Sequence, residues 1–218
     1  MSKKKNSIRW RWLFPAHCPL CDSILTRQER MLCRACRQSV SCSGYLLPDG
    51  VAPFLYQGIY REAVHRFKYG GRAEYAPFFA AAILTVCRDR LVQWKPDVII
   101  PVPIHRKRML ERGYNQAEEL ARCLAEELQI RCDNRLVVRQ RNTHPQNDLT
   151  PEERQRNVAD AFAIRKGAAV PKRILLVDDI YTTGSTIAEI RRLLQTHGAD
   201  RIPAVCICRA GKDDRAGE

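Results

Sequence analysis

Two neighbouring carboxylates followed by a row of hydroxyl groups are the residues of this chain best suited to chemistry. In "ILLVDDIYTTGSTI" (174–187), Asp178 and Asp179 end an apolar run. The polar segment after them consists of Thr182, Thr183, Gly184, Ser185 and Thr186. The start of a helix binds anions, because its N–H groups point outward and its dipole favours a phosphate. The acids would repel a phosphate but suit vicinal hydroxyls, or a metal bound to them. A diol and a monophosphate on one ligand describe a ribose 5-phosphate.

Three other interpretations of this segment explain less of it. A Walker B strand requires a G-x-x-x-x-G-K-[ST] loop, which the sequence lacks. Paired acids also hold Mg²⁺ in receiver domains, but no hydroxyl-rich turn is expected directly after them. A simple helix cap accounts for one hydroxyl group rather than four hydroxyls and two acids.

A second chemical pattern is formed by cysteines near the start of the chain. Cys18, Cys21, Cys33 and Cys36 have the spacing C-x2-C-x11-C-x2-C, which predicts four thiolates around a structural Zn²⁺. A redox dithiol is the alternative, and the second pair weakens it. Cys42 is a possible fifth candidate. The other cysteines lie in apolar segments and are interpreted as small core residues: Cys87, Cys123, Cys132, Cys206 and Cys208.

Charge and hydropathy limit the class of protein. The chain has 218 residues and a formal net charge of +13, which favours an anionic partner such as a phosphate ligand or nucleic acid. A basic soluble surface is the alternative. No apolar run reaches the roughly 20 residues of a membrane helix, so no membrane insertion is expected. We find no signal peptide, and therefore expect a cytoplasmic protein whose cysteines are not disulfide-bonded.

The chain divides by composition into residues 1–45, a basic zinc-binding segment, and residues 46–218, an α/β domain. The first segment has nine basic residues against two acidic ones, a charge of +7. We interpret it as a zinc-stapled segment too small to fold alone, with a docking or nucleic-acid-binding knuckle as the alternative. In the latter case Lys3, Lys4, Lys5, Arg9 and Arg11 would contact DNA.

Beyond residue 50, apolar patterns predict alternating strands and helices, hence a mostly parallel sheet flanked by helices. The predicted strands are 51–58, 97–103, 135–140, 161–164, 173–179 and 201–208. The predicted helices are 61–69, 74–94, 115–129 and 185–198. Pro203 cannot donate a ladder hydrogen bond, so the last strand is predicted near an edge. Ligands of such sheets bind beyond the carboxyl ends of the strands, where Asp179 and the hydroxyl segment lie.

The chain resembles a known family. The segment "ILLVDDIYTTGST" is similar to the phosphoribosyl diphosphate (PRPP) motif of type I phosphoribosyltransferases. The stretches 56–71, "IIPVPIHRKRMLERGYNQAEELA" (99–121) and 141–162 resemble the ComF/GntX-like, competence-associated branch of that family, as does the N-terminal cysteine pattern. The resemblance implies a type I phosphoribosyltransferase fold with a small N-terminal zinc-binding segment.

The resemblance also implies roles for individual residues. Asp178 and Asp179 would hold the ribose hydroxyls and stabilise the reaction's oxocarbenium-like state. The five residues of the 182–186 segment would hold the 5-phosphate, and Mg²⁺ would act together with PRPP. The basic residues after strand 97–103 are candidates for the diphosphate: Arg106, Lys107, Arg108 and Arg112. Lys68 is a further candidate, and 141–160 resembles the loop that closes over the substrate. His65, His105 and His144 are candidate bases by type only.

Two classes of function follow. The first is an enzyme that transfers phosphoribosyl from PRPP to an acceptor. The alternative is a non-catalytic module that senses PRPP or nucleotides, or assists DNA uptake, because fold does not fix function. The resemblance further implies a role in natural transformation or in the use of imported DNA. DNA and uptake-machinery proteins such as a competence helicase are the implied partners.

Overall fold

A computed structural model describes residues 15–140 and 161–211 and divides the chain into two units, Met1–Ser41 and Cys42–Glu218. The boundary predicted after residue 45 stays a prediction. The closing loop predicted for 141–160, His144 within it, and the five basic residues proposed for DNA contact all lie outside the described residues. No helix in the described ranges is long and apolar enough to cross a membrane.

The described part of the first unit, residues 15–41, contains tight turns and one short helix. Helix α1 (Arg34–Ser39) begins after Cys33, whose sulfur accepts a hydrogen bond from the Cys36 N–H at 3.5 Å. In the preceding turn, Cys18 N–H donates to Ser23 O, and Asp22 N–H donates back to Cys18 O, both at 2.8 Å. Each C-x2-C pair therefore lies on a turn that the backbone itself closes.

The second unit is built on a mostly parallel sheet. Its strands are β1 (Tyr45–Leu47), β2 (Gly50–Ala52), β3 (Phe54–Leu55), β4 (Val98–Pro101), β7 (Ile174–Tyr181) and β8 (Ala204–Arg209). The order is β1-β2-β8-β7-β4, with β3 also paired to β8, and only β1 and β2 run antiparallel. Strands β5 (Val137–Arg139) and β6 (Phe162–Ile164) form a separate antiparallel pair. This architecture confirms the predicted α/β fold.

Helices surround the sheet in the second unit. They are α2 (Gly58–Tyr69), α3 (Ala76–Trp94), α4 (Arg106–Arg112), α5 (Gln116–Leu128) and α6 (Ser185–Thr196). Helix α5 buries Ala117, Leu120, Ala121 and Leu124 on one face, as its 3.6-residue period predicts. Helix α4 was not predicted, because its run of basic residues has no apolar face, and none of its residues is buried.

The position of β8 corrects one prediction. We expected this strand near an edge because of Pro203, yet β8 lies in the middle of the sheet, between β7 and β2. Pro203 precedes the strand, and its carbonyl accepts the Leu176 N–H at 2.9 Å. The missing proline N–H therefore removes no bond from the ladder, and the apolar residues 204–208 of β8 are buried as those of a central strand should be.

The pairing of β4 with β7 positions the site. The two strands run parallel, with Pro101 opposite Val177, and Val102 N–H donates to Val177 O at 2.8 Å. The chain segments that follow them, α4 on one side and Asp178 onward on the other, therefore leave the sheet at the same edge. This is the arrangement predicted for a diphosphate region next to the two acids.

Candidate functional site

The two acids lie near the end of β7, which continues through Tyr181 and ends two residues later than predicted. Asp179 N–H donates to Asp178 Oδ1 at 2.8 Å. Burial, together with the neighbouring charge of Asp179, raises the pKa of Asp178 to about 7. Near neutral pH the two acids therefore carry less than two full negative charges, which reduces their repulsion of a phosphorylated ligand.

The hydroxyl segment forms the turn into α6, as predicted. Gly184 has φ of +76° and precedes Ser185, the first residue of the helix. The Thr183 and Ser185 hydroxyls lie 2.5 Å apart, and Ala188 N–H donates to Gly184 O at 2.8 Å. A side chain at position 184 would overlap the ring and hydroxyl of Tyr181. Glycine is thus required for both the backbone conformation and the space.

We expect Gly184→Ala to destabilise the protein more than Gly167→Ala. Gly167 has nearly the same φ, +74°, but a side chain there would meet nothing within 4 Å. Both changes carry the left-handed strain of about 1–2 kcal/mol, and only the first must also displace Tyr181. Urea unfolding of the two variants measures the difference. Equal losses of unfolding free energy would show that Tyr181 yields without cost.

Lys68 makes the closest charged contact to the two acids. Its Nζ lies 3.0 Å from Asp179 Oδ2, and the two side chains are 16% and 14% exposed. Lys68 comes from the last turn of α2, far from β7 in sequence. Lys68, a further candidate from the sequence, therefore lies next to Asp179.

The four basic residues proposed for the diphosphate separate into two pairs. Arg106 and Lys107 are exposed at the start of α4, whereas Arg108 and Arg112 are partly buried. Burial, followed by repulsion from Arg112, lowers the pKa of Arg108, and Asp179 is among the charges that oppose this shift. Arg108 therefore lies within electrostatic range of Asp179.

Arg139 is a site residue that the sequence analysis missed. It ends β5, and its guanidinium lies over the Phe162 ring, 5.3 Å from the centroid. Burial and the nearby Arg108 lower the pKa of Arg139 to about 10, while Asp178 raises it. The sequence "VVRQR" gave no reason to prefer this arginine, because only the pairing of β5 with β6 orients it toward Asp178.

The two described candidate histidines have other contacts. His105 Nδ1 accepts the Lys107 N–H at 3.2 Å and so caps α4. The His65 ring packs against Tyr69, with the centroids 5.0 Å apart. These contacts of His105 and His65 are therefore structural, within α4 and α2.

The four cysteines predicted to bind metal lie together in the first unit. Their sulfur atoms are all within 4.8 Å of one another, and Cys21 Sγ lies 3.6 Å from Cys33 Sγ. Sulfurs at the vertices of a tetrahedron around Zn²⁺ are about 3.8 Å apart, because Zn–S bonds are about 2.3 Å long. The donor set therefore fits Zn²⁺.

The pKa shifts of three thiols in the cluster support the same assignment to Zn²⁺. Burial raises the pKa of Cys18 and of Cys36. The pKa of the exposed Cys21 falls despite partial desolvation of its sulfur, because Ser23 and neighbouring thiols hydrogen-bond to that sulfur. Four crowded sulfurs cannot all ionise without a cation among them, which a divalent soft-ligand metal provides.

Comparisons with known proteins agree with this site. The chain matches the phosphoribosyl transferase domain model over residues 79–217, more than half its length. Competence protein F of Haemophilus influenzae is 37% identical over 152 residues, 67% of this chain and 66% of that protein. DNA utilization protein YhgH of Escherichia coli K12 is 34% identical over 149 residues, 67% of this chain and 65% of that protein. The chain thus matches about two thirds of the length of each.

A longer match is found with competence protein ComFC of Streptococcus pneumoniae, which is 28% identical over 202 residues, 88% of this chain and 87% of that protein. Among solved structures, a purine phosphoribosyltransferase from Pyrococcus horikoshii Ot3 is 22% identical with a TM-score of 0.34, over 62% of this chain and 71% of that one. On the domain match and its relatives, this chain belongs to the phosphoribosyl transferase domain family, in its ComF-like branch.

Proposed function

We propose that this protein binds PRPP with Mg²⁺ and transfers its phosphoribosyl group to an acceptor, releasing diphosphate. One observation carries the proposal: two carboxylates and a hydroxyl-lined helix start follow one another at the end of β7, with Lys68, Arg108 and Arg139 around the acids. A ligand with a diol and phosphates at both ends matches that distribution of charge.

Each group of residues has a defined task in this proposal. Asp178 and Asp179 accept hydrogen bonds from the ribose hydroxyls and stabilise the positive charge that develops at C1. The N–H groups and hydroxyls of 182–186 hold the 5-phosphate at the start of α6. The half-buried arginines next to the acids, with Lys68, offer charge to the diphosphate.

The residues present fit Mg²⁺. This ion is usually held by one or two carboxylates together with substrate phosphates, and Asp178 and Asp179 provide the carboxylates. When bound, Mg²⁺ would neutralise charge on the departing diphosphate. Zn²⁺ is proposed separately, as the structural ion of Cys18, Cys21, Cys33 and Cys36.

The proposed setting is the use of imported DNA in the cytoplasm. It is supported by the names of the relatives, which are competence and DNA utilization proteins. The same names favour the second candidate, a PRPP-sensing or DNA-uptake accessory module without turnover. DNA and uptake-machinery proteins are proposed as partners in either case.

Calorimetry with PRPP, followed by a diphosphate-release assay, tests the proposal and separates the two candidates. We expect PRPP to bind only weakly without Mg²⁺ and more tightly with it, and diphosphate to be released when a suitable nucleobase or nucleoside is added from a panel. PRPP binding without release on any member of the panel favours the sensor. Folded protein that binds no PRPP in the presence of Mg²⁺ would remove the enzyme and the PRPP sensor, and would leave only the DNA-uptake accessory module.

A further inference from the structure

The segment Arg112–Gln116, within the "RGYNQA" motif, has contacts that the proposed function does not explain. Among the described residues, the polar side chains that are fully buried are Asn115 and Gln116, 6% and 1% exposed. Buried polar groups are costly unless they are hydrogen-bonded, so their partners show what the motif does.

Those partners are the backbone of the last turn of α2. The Tyr114 hydroxyl donates to Phe67 O, and Gln116 Nε2 lies 3.4 Å from both Phe67 O and Lys68 O. Carbonyls in the last turn of a helix have no partner within the helix, so these side chains satisfy groups that would otherwise be orphaned. The motif therefore fixes the backbone on which Lys68 is carried.

The segment Arg112–Gln116, which we call the brace, also contacts the sheet and Tyr69, the last residue of α2. Asn115 Nδ2 donates to Val102 O at 3.0 Å, directly after β4. Arg112 donates to Gln116 Oε1 at 3.0 Å and to the Tyr69 hydroxyl at 3.1 Å, and its Cζ lies 4.8 Å from the centre of the Tyr69 ring. The end of α2 is thus held at the β4–β7 edge where the acids lie.

Lys68 occupies the position that this brace defines. Its ammonium is paired with Asp179 at 3.0 Å, with about one sixth of each side chain exposed. The proposed function requires the same carboxylate to accept a ribose hydroxyl. A ligand must therefore either share Asp179 with Lys68 or displace the Lys68 ammonium from it. The flexible four-carbon side chain of lysine allows this displacement.

We propose that the Arg112–Gln116 brace positions Lys68 so that its ammonium moves from Asp179 to the diphosphate of the ligand when the ribose hydroxyls bind. This inference rests on the proposed function. A compact ammonium is a common phosphate ligand. The transfer gives the Lys68 ammonium a new ionic partner, while Asp179 accepts hydrogen bonds from the ribose hydroxyls, so neither group is left without a partner. Lys68 then selects for ligands with a diphosphate over those with a ribose phosphate alone. Tyr114 and Gln116 are positioning residues.

The test compares two ligands on the same variants. PRPP and ribose 5-phosphate, each with Mg²⁺, are titrated into wild type and Lys68→Met. We expect PRPP affinity to fall roughly ten- to hundredfold, the effect of a lost charged hydrogen bond. Ribose 5-phosphate affinity should stay the same or rise, because Asp179 is no longer paired. The readout is the ratio of the two affinities.

A second variant tests whether the brace positions Lys68. Tyr114→Phe removes the hydroxyl that donates to Phe67 O but keeps the ring, which packs on Phe67 with centroids 5.9 Å apart. We expect a smaller loss of the same ratio. Tyr60→Phe makes the same change early on α2, where the ring stacks on Phe54 at 4.1 Å, and should leave the ratio unchanged.

The outcomes are distinguishable. Equal weakening of both ligands by Lys68→Met or Tyr114→Phe would show a purely structural role, and an unchanged ratio in Lys68→Met would place the diphosphate elsewhere; either result overturns the inference. Wild type that binds PRPP but shows one of these patterns leaves the proposed function standing. Wild type that binds neither ligand removes the proposed function and the inference with it.

Discussion

Removal of metal from the four-cysteine cluster is expected to unfold the N-terminal unit. In its described part, 15–41, the buried apolar side chains are Pro19, Leu20, Leu25 and Leu32, apart from the cysteines Cys18 and Cys36. So small a core does not stabilise a fold by itself. A structural Zn²⁺ supplies an apparent 10–16 kcal/mol or so in short zinc-binding peptides, far more than these leucines can.

Elemental analysis of the purified protein should find one zinc per chain. Cys18→Ser should release it and make peptide bonds between residues 18 and 36 sensitive to trypsin, which has Arg27 and Arg30 available there. Cys42→Ser is the matched control, since Cys42 is a half-buried cysteine outside the cluster. A metal-free wild type that resists trypsin as well as the zinc-loaded protein would contradict the four-thiolate site.

Asp179→Asn is expected to weaken PRPP binding about ten- to hundredfold. The substitution keeps the size of the side chain but removes the charge that accepts the ribose hydroxyl, and losing a hydrogen bond to a charged group costs about 1.5–3 kcal/mol. It also leaves Lys68 without its partner at 3.0 Å. Calorimetry with Mg²⁺ present measures the change.

Binding should weaken rather than disappear, for two reasons. The phosphate turn at the start of α6 is untouched, and Asp178 ionises more readily once the charge of Asp179 no longer raises its pKa. Adding Ser185→Ala should lower the affinity again, through the 5-phosphate. Asp200→Asn serves as the control, because Asp200 is exposed and pairs with Lys172 at 3.5 Å. Unchanged affinity in Asp179→Asn would move the ribose away from β7.

The strand, turn and helix of the candidate site could be predicted from sequence because they are contiguous. Asp178, Gly184 and Ser185 are fixed relative to one another by a few backbone angles, so an apolar run, two acids and a glycine at positive φ suffice to describe them. The four cysteines could be predicted for the same reason. Each C-x2-C pair lies on a local turn, and only the approach of one pair to the other depends on the fold. The alternation of strands and helices likewise predicted the α/β fold.

The tertiary structure alone decided which cations surround the acids, and which residues only support them. Lys68 reaches Asp179 because α2 is braced against the end of β4, and Arg139 lies near Asp178 because β5 pairs with β6. Arg112, predicted as a phosphate ligand, contacts Tyr69 and Gln116. The central position of β8 could not be predicted either, since Pro203 indicated an edge strand. A basic residue shows its charge in the sequence, but its distance from a carboxylate depends on strand pairing and side-chain packing between segments far apart in the chain, and these leave no local pattern.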